Sequence, residues 1–210
     1  MSILSFLGLI PKAVVVEDVP PPSLTRLLKH VADGAYPEAG KLVLSVGDDN
    51  RERLIHSFSL RDEAIALAQQ WVRSCSGSSI SHTFLGACMI RHAWKIRGSA
   101  RASSVSAHAW QPFWNGLDNA AAPLLEAARL DAATADPFAW LILAEVGKGG
   151  DRDLVDTYLA QATARVPLHW PTYYKYFMAT TEKWVAATRR CFALPRKARK
   201  GRRAAACSTA

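Results

Sequence analysis

The residues best suited to hold a metal ion lie between positions 82 and 92. His82, Cys88 and His92 fall on one predicted helix, and the i,i+4 spacing of Cys88 and His92 places a thiol and an imidazole on one helix face. A structural zinc site needs four such ligands, and no third and fourth ligand is evident from the spacing of the chain. The pattern is more typical of a buried cysteine beside a surface histidine, and we expect no metal and no cofactor.

Catalytic motifs are missing from the sequence. It contains no GxSxG, HExxH, P-loop or dinucleotide-binding glycine pattern, and the glycines of Gly147 to Gly150 end a predicted helix with no strand before it. His56, His108 and His169 have no acidic or nucleophilic residue beside them in the sequence. We therefore predict no catalytic residue, although an enzyme with an unfamiliar site stays an open alternative.

Aromatic residues are concentrated at the start and along the length of the last predicted helix, which Pro171 begins. The cluster comprises Trp170, Tyr173, Tyr174, Tyr176 and Phe177. A repeat described below assigns Tyr174 and Phe177 to the core, so the remaining side chains point elsewhere and form a candidate binding surface for a protein or peptide. This candidate surface comprises Trp170, Tyr173, Lys175 and Tyr176. The alternative is that an additional helix packs there.

The basic charge of the chain belongs to its last 26 residues. From Val185 to Ala210 there are eight Lys and Arg residues and no acidic residue. The other 18 basic residues of the chain balance its 18 acidic residues. Residues 1–184 are therefore neutral, and the net charge of +8 lies in the tail. A basic arm of this kind can contact phosphates, which makes binding to nucleic acid or an anionic surface the second functional hypothesis. The segment lacks the interleaved aromatic residues that many nucleic-acid-binding segments carry. We expect nucleic-acid binding only if the segment is a native arm.

The N-terminal residues 1–22 are predicted to be an extended lead-in. Pro20, Pro21 and Pro22 cannot continue a helix, and the apolar run from Ile3 to Ile10 is too short to cross a membrane and lacks the features of a signal peptide. The cysteines form neither a CxxC pair nor a disulfide framework: Cys75, Cys88, Cys191 and Cys207. We therefore expect a cytoplasmic protein with no membrane partner.

Residues 23–184 are predicted to be helical throughout, because apolar residues recur there at helical spacing. A serine-rich loop at 75–79 is a candidate internal boundary. Gly98 follows a basic last turn and should end a long helix. Residues 185–210 are expected to be a disordered basic tail.

An internal repeat organises the second half of the chain. Leu125, Ala128, Pro137, Trp140 and Leu143 are matched 34 positions later by Leu159, Ala162, Pro171, Tyr174 and Phe177. Thirty-four residues is the tetratricopeptide period, in which small residues let two helices approach and a proline starts the second helix. We predict an all-α fold of antiparallel helix pairs in a tetratricopeptide-like array, capped by an irregular helical N-terminal half.

From Ser79 to Trp184 the sequence resembles an uncharacterised bacterial helical-repeat family, a domain of unknown function. The segments that carry the resemblance are His92-Ala-Trp94-Lys-Ile-Arg97-Gly98, Trp110-x-x-Phe113-x-x-x-Leu117, Asp136-Pro137 and Lys183-Trp184. The resemblance implies a tetratricopeptide-like fold and carries over neither an activity nor a cofactor. We therefore expect a non-catalytic scaffold or protein-binding module.

The same resemblance makes the segment after Trp184 unusual. In that family Lys-Trp is followed by Gly-Gly-Ser and an amphipathic helix, whereas here Val185-Ala-Ala-Thr188 follows. Removing one G from AAG TGG GGT GGC AGC CAC, which encodes Lys-Trp-Gly-Gly-Ser-His, yields codons for Lys-Trp-Val-Ala-Ala-Thr. We hypothesise that the residues from Val185 onward are a frameshifted continuation.

The nucleotide sequence of the gene tests this hypothesis. We expect the alternative frame directly after the codon for Trp184 to encode Gly-Gly-Ser followed by an amphipathic helix. If that frame encodes neither, residues 185–210 are a native basic arm. Deleting them should then reduce the affinity for nucleic acid in a salt-dependent manner.

Overall fold

The computed structural model describes residues 21–98 and 105–181, and all regular structure in these residues is α-helical, as predicted. The expected lead-in up to residue 20, the basic tail and the Lys183-Trp184 pair lie outside the described residues. The helices are α1 Ser23–Ala32, α2 Tyr36–Leu44, α3 Asp48–Ser59, α4 Ala64–Ser74, α5 Ser79–Arg97, α6 Ala107–Leu130, α7 Asp136–Lys148, α8 Arg152–Arg165 and α9 Trp170–Thr180. None of these helices combines the length and the apolar character that a membrane span requires.

The two longest helices, α5 and α6, pack along each other and form the centre of the fold. Ser78 begins α5 by accepting a hydrogen bond from the backbone N–H of Ser81 at 3.4 Å. Gly98 ends α5 with a φ of 75°, a conformation that favours glycine, so the predicted helix end is confirmed. On the side of α5 that faces α3 and α4, the rings of Trp71 and Phe58 contact the ring of Phe84 at centroid distances of 5.3 Å and 5.1 Å.

One continuous cluster of buried apolar residues extends from Leu24 in α1 to Ala162 in α8. The segment 75–79, considered above as an internal boundary, contains a turn that joins α4 to α5, and these two helices pack against each other. The apolar core therefore passes across this turn without interruption.

The repeat positions divide into two groups in the structure. Ala128 and Ala162 are buried, and the prolines 34 residues apart lie in the first turns of α7 and α9, as the repeat predicted. Trp140 is fully buried, but Tyr174 and Leu125 are about half exposed, and Leu159 is half-buried. The prediction that Tyr174 and Phe177 belong to the core is therefore wrong.

The choice of which side of α9 is buried accounts for this difference. The buried residues of α9 are Pro171, Thr172, Lys175 and Ala179. These residues lie on the side of the helix that faces α7, so the aromatic residues on the other side face outward. Contacts of α9 with other helices determine which of its sides is buried, and these contacts are described below.

Two glycines allow the close approach of α5 and α6. A Cβ atom added at Gly86 would lie 2.7 Å from Cδ2 of Leu124, and one added at Gly116 would lie 2.8 Å from Cβ of Ala93. Both distances are shorter than van der Waals contact, so neither position has room for a side chain.

We predict that Gly86→Ala lowers the free energy of unfolding by about 1–3 kcal/mol, because the new methyl group displaces Leu124 from a packed core. Gly40→Ala is the matched control, since Gly40 also lies within a helix but the nearest atom to an added Cβ is 3.9 Å away. That variant should be more stable by about 0.5–1 kcal/mol, as expected for Gly→Ala in a helix. Urea denaturation of both variants measures the difference; equal effects would contradict the prediction.

Candidate functional site

A network of buried polar side chains joins α3 to α7 and to the start of α9. Its centre is the carboxylate of Asp136 in the first turn of α7, which is buried. The Oδ2 atom of Asp136 accepts a hydrogen bond from Nε of Arg51 at 2.6 Å, and Arg51 also pairs with Asp48. Thr134 donates to the same carboxylate at 3.2 Å. Arg51 and Asp136 are 85 residues apart, so this ion pair holds the N-terminal half of the chain against the repeat helices.

His169 binds the other oxygen of the same carboxylate. Its Nε2 atom lies 3.1 Å from Oδ1 of Asp136, and its Nδ1 atom lies 2.7 Å from Oγ1 of Thr172. An acid, an imidazole and a hydroxyl in this order resemble the components of a nucleophilic site. Here His169 and Thr172 are completely buried, and the second oxygen of Asp136 is occupied by Arg51 and Thr134. In the part of the chain that the structure describes, the Thr172 side chain has no exposed surface, and the arrangement joins helices.

The electrostatics of Asp136 are dominated by these partners. Burial by itself raises the pKa of the Asp136 carboxyl, because a charged group loses its hydration. The hydrogen bond from His169 and the positive charge of Arg51 act in the opposite direction and prevail, so the pKa lies below its usual value. Asp136 is therefore ionised at neutral pH and holds its partners as a charge.

A second buried ion pair lies beside the first. The Nζ atom of Lys175 contacts Oε1 of Glu52 and lies 4.4 Å from the centroid of the Trp140 ring. Because Lys175 is buried between α9, α7 and α3, our prediction that it belongs to a partner-binding surface is wrong. The physical reason is Glu52, which neutralises the ammonium group in the interior and so makes its burial tolerable.

Sequence reasoning missed both ion pairs because their members are 85 and 123 residues apart. One signal was present in the repeat. Lys175 lies 34 positions after Leu141, which is fully buried, so a charged residue stands at a position whose counterpart is apolar. A buried charge requires a partner of opposite sign, although the repeat gives no means of identifying Glu52.

The exposed side of α9 carries a continuous aromatic stripe. Trp170, Tyr173, Tyr174 and Phe177 are 64%, 36%, 56% and 66% exposed. Their spacing of i, i+3, i+4 and i+7 places them on one side of the helix, and we call this stripe the aromatic face. Two residues of the predicted binding surface, Trp170 and Tyr173, lie in it, and Tyr174 and Phe177 complete it.

Tyr176 lies beside the aromatic face and has a different role. Its hydroxyl accepts a hydrogen bond from Arg152 at 2.7 Å and donates one to Asp156 at 2.9 Å, and the guanidinium of Arg152 lies over its ring. These contacts tie α8 to α9. Tyr176 was predicted to contact a partner, whereas in the structure it joins two helices of the same chain.

The cysteine and histidines first considered as metal ligands lie on α5. Cys88 is fully buried, and burial raises the pKa of its thiol above the usual range. The Nε2 atom of His82 donates a hydrogen bond to the carbonyl oxygen of Ser76, at 2.9 Å. Within residues 21–98 and 105–181, no three His, Cys, Asp or Glu side chains are grouped so that they could hold a metal ion.

Comparison of the chain with protein-family models, with curated proteins and with solved structures gives no match. The similarity to a helical-repeat family with a Lys-Trp-Gly-Gly-Ser signature stays a prediction.

We predict that Asp136→Asn lowers the free energy of unfolding at pH 7 by about 2–3 kcal/mol, because it removes the charge that accepts hydrogen bonds from Arg51 and from the fully buried His169. Asp62→Asn is the control: Asp62 also pairs with a base, Lys95 at 2.6 Å, but is 85% exposed and should have a far smaller effect. Chemical denaturation at pH 7 distinguishes them.

The Asp136→Asn variant should also reduce the pH dependence of the free energy of unfolding. Because the pKa of Asp136 is lower in the folded chain than in the unfolded chain, its stabilisation is complete above the unfolded value of about 3.9 and is lost as the pH falls through the folded value. Between pH 5 and pH 3 the wild-type protein should lose more stability than Asp136→Asn. Identical pH profiles would show that the carboxylate is not held as described.

Proposed function

We propose that this protein is a non-catalytic helical-repeat module that binds another protein through the aromatic face of α9. The observation that carries the proposal is the alignment of Trp170, Tyr173, Tyr174 and Phe177 on the exposed side of one helix. Tyrosine and tryptophan are the residues most enriched among the energetically dominant positions of protein interfaces. The 34-residue spacing supports the further proposal that the helix pairs form a tetratricopeptide-like array.

The aromatic face has the size of the largest apolar patch on a typical monomer. A buried aromatic side chain covers roughly 150–250 Å², so these four residues, at their observed exposures, offer on the order of 500 Å². The largest apolar patch on a typical monomer covers about 300–600 Å², and patches of that size are often functional. Leu168, which is almost fully exposed, adds to the apolar surface beside Trp170.

The relationship between α7 and α9 indicates what would cover this face. On α7, Asp136 contacts His169 and Trp140 contacts Lys175, so residues of α9 and its first turn cover these two positions. The residues 34 positions later are Trp170 and Tyr174, and no part of the chain that the structure describes covers them. We infer that the partner supplies a helix that packs on α9 as α9 packs on α7.

The same comparison gives the chemistry of the partner helix. Lys175 places its ammonium over the Trp140 ring, and Arg165, Arg152 and Arg97 also lie over aromatic rings in this fold. A basic side chain over the exposed ring of Tyr174 would repeat this contact. The expected partner is therefore an amphipathic helix with an apolar side and a Lys or Arg within it.

Photo-crosslinking tests the proposal, with a crosslinking amino acid at position 174 and, as control, at position 125. Leu125 is 48% exposed and lies on α6, away from the aromatic face. We expect position 174, and not position 125, to crosslink in the cell to an amphipathic helix of one other protein. That protein, once purified, should bind the chain directly.

The affinity for the purified partner should fall by at least about 30-fold in Tyr174→Asp, which corresponds to about 2 kcal/mol at a dominant interface position. Leu125→Asp should change it by less than about threefold. Crosslinks from position 174 only to residues 182–210 or to a second copy of the chain would overturn the proposal, and so would the absence of any crosslink.

A further inference from the structure

A groove lies between α5 and the turn that joins α3 to α4, away from the aromatic face. Its volume is about 570 Å³. Small-molecule sites in proteins typically have volumes of about 300–1,000 Å³, so the groove has the size of a ligand site. None of the residues that line it belongs to α7, α8 or α9.

Basic side chains converge on this groove from two parts of the chain. Arg91, His92 and Lys95 follow Cys88 on α5 at the spacing of one helix face, and Arg61 enters from the turn between α3 and α4. Asp62 supplies the only carboxylate among the residues that line the groove. Since residues 1–184 are neutral as a whole, the excess of positive charge in the groove is local.

Apolar side chains form the rest of the groove. Leu60 and Ile65 lie on the side of the turn and of α4, and Trp94 lies on the side of α5. The ring of Trp94 is held edge-on against Phe113 at a centroid distance of 5.0 Å, and the guanidinium of Arg97 lies 5.4 Å from its centroid. The groove thus combines a fixed apolar wall with several cationic groups at its edge.

We propose that this groove binds a small organic molecule that carries a phosphate group. A phosphate monoester has a charge of roughly −1.5 to −2 at pH 7, which matches a site with three basic side chains better than the single charge of a carboxylate does. A guanidinium group such as that of the exposed Arg61 donates paired hydrogen bonds to phosphate oxygens. Leu60, Ile65 and Trp94 would cover the organic part.

Lys95 can join the ligand at little cost. Its ammonium is 2.6 Å from Asp62, but the side chains are 72% and 85% exposed, and ion pairs of this kind contribute little to stability. A bound phosphate can therefore replace Asp62 as the partner of Lys95. Binding at the groove does not depend on the aromatic face, so either proposal can fail without the other.

The experiment uses the full chain and isothermal titration calorimetry with three probes: adenosine 5′-monophosphate, inorganic phosphate and adenosine. We expect the nucleotide to bind, inorganic phosphate to compete with it, and adenosine to bind at least tenfold more weakly. The double variant Arg61→Ala with Lys95→Ala should lower the affinity for the nucleotide at least tenfold.

Lys29→Ala is the matched control for the variant at Lys95. Lys29 also pairs with an aspartate at 2.6 Å and is 74% exposed, but it lies on α1, outside the groove. This variant should bind the nucleotide within twofold of the wild-type affinity.

Two results would overturn the proposal. The first is that neither the nucleotide nor inorganic phosphate binds at concentrations up to 10 mM, a limit set by the weakest affinities expected of a specific site. The second is that the double variant binds the nucleotide as well as the wild type does. The phosphate contacts would then belong to the eight basic residues after Val185 and not to the groove.

Discussion

The buried carboxylate of Asp136 is the interaction on which the arrangement of the helices depends. Through Arg51 it binds α3, and through His169 it binds the residue that precedes α9, so one side chain fixes two distant segments against α7. If the Asp136 carboxylate lost either partner, a buried charge would be left uncompensated, and the free energy of unfolding would fall. The network and the apolar core thus both connect the N-terminal helices to α7 and α9.

The second ion pair determines which side of α9 faces outward. Lys175 enters the interior because Glu52 and the ring of Trp140 receive its ammonium group, and Trp170, Tyr174 and Phe177 lie on the other side of the helix. The interior electrostatics and the exposed surface of α9 are thus two consequences of the same contact.

Much of the fold could be predicted from local sequence, and the orientation of α9 could not. Pro137 and Pro171 mark helix starts and Gly98 marks a helix end because proline and glycine act on the backbone of their own neighbourhood. The side of α9 that is buried depends instead on Glu52, 123 residues away, and a hydrophobic pattern cannot reveal a charged core residue. The groove at Arg61 and Lys95 was missed for the same reason, since its cationic groups come from segments about 30 residues apart.

The adjacent positions of Arg51 and Glu52 have a further consequence for α3. Neighbouring residues of a helix point about 100° apart, so α3 presents a positive group to Asp136 and a negative group to Lys175 in only one rotational setting. If the helix turned or slid by one residue, Glu52 would approach the aspartate or Arg51 would approach the lysine, and like charges would meet in a largely buried environment. The two adjacent, opposite charges therefore stabilise the observed register of α3. Registers shifted by one residue are destabilised by like-charge repulsion.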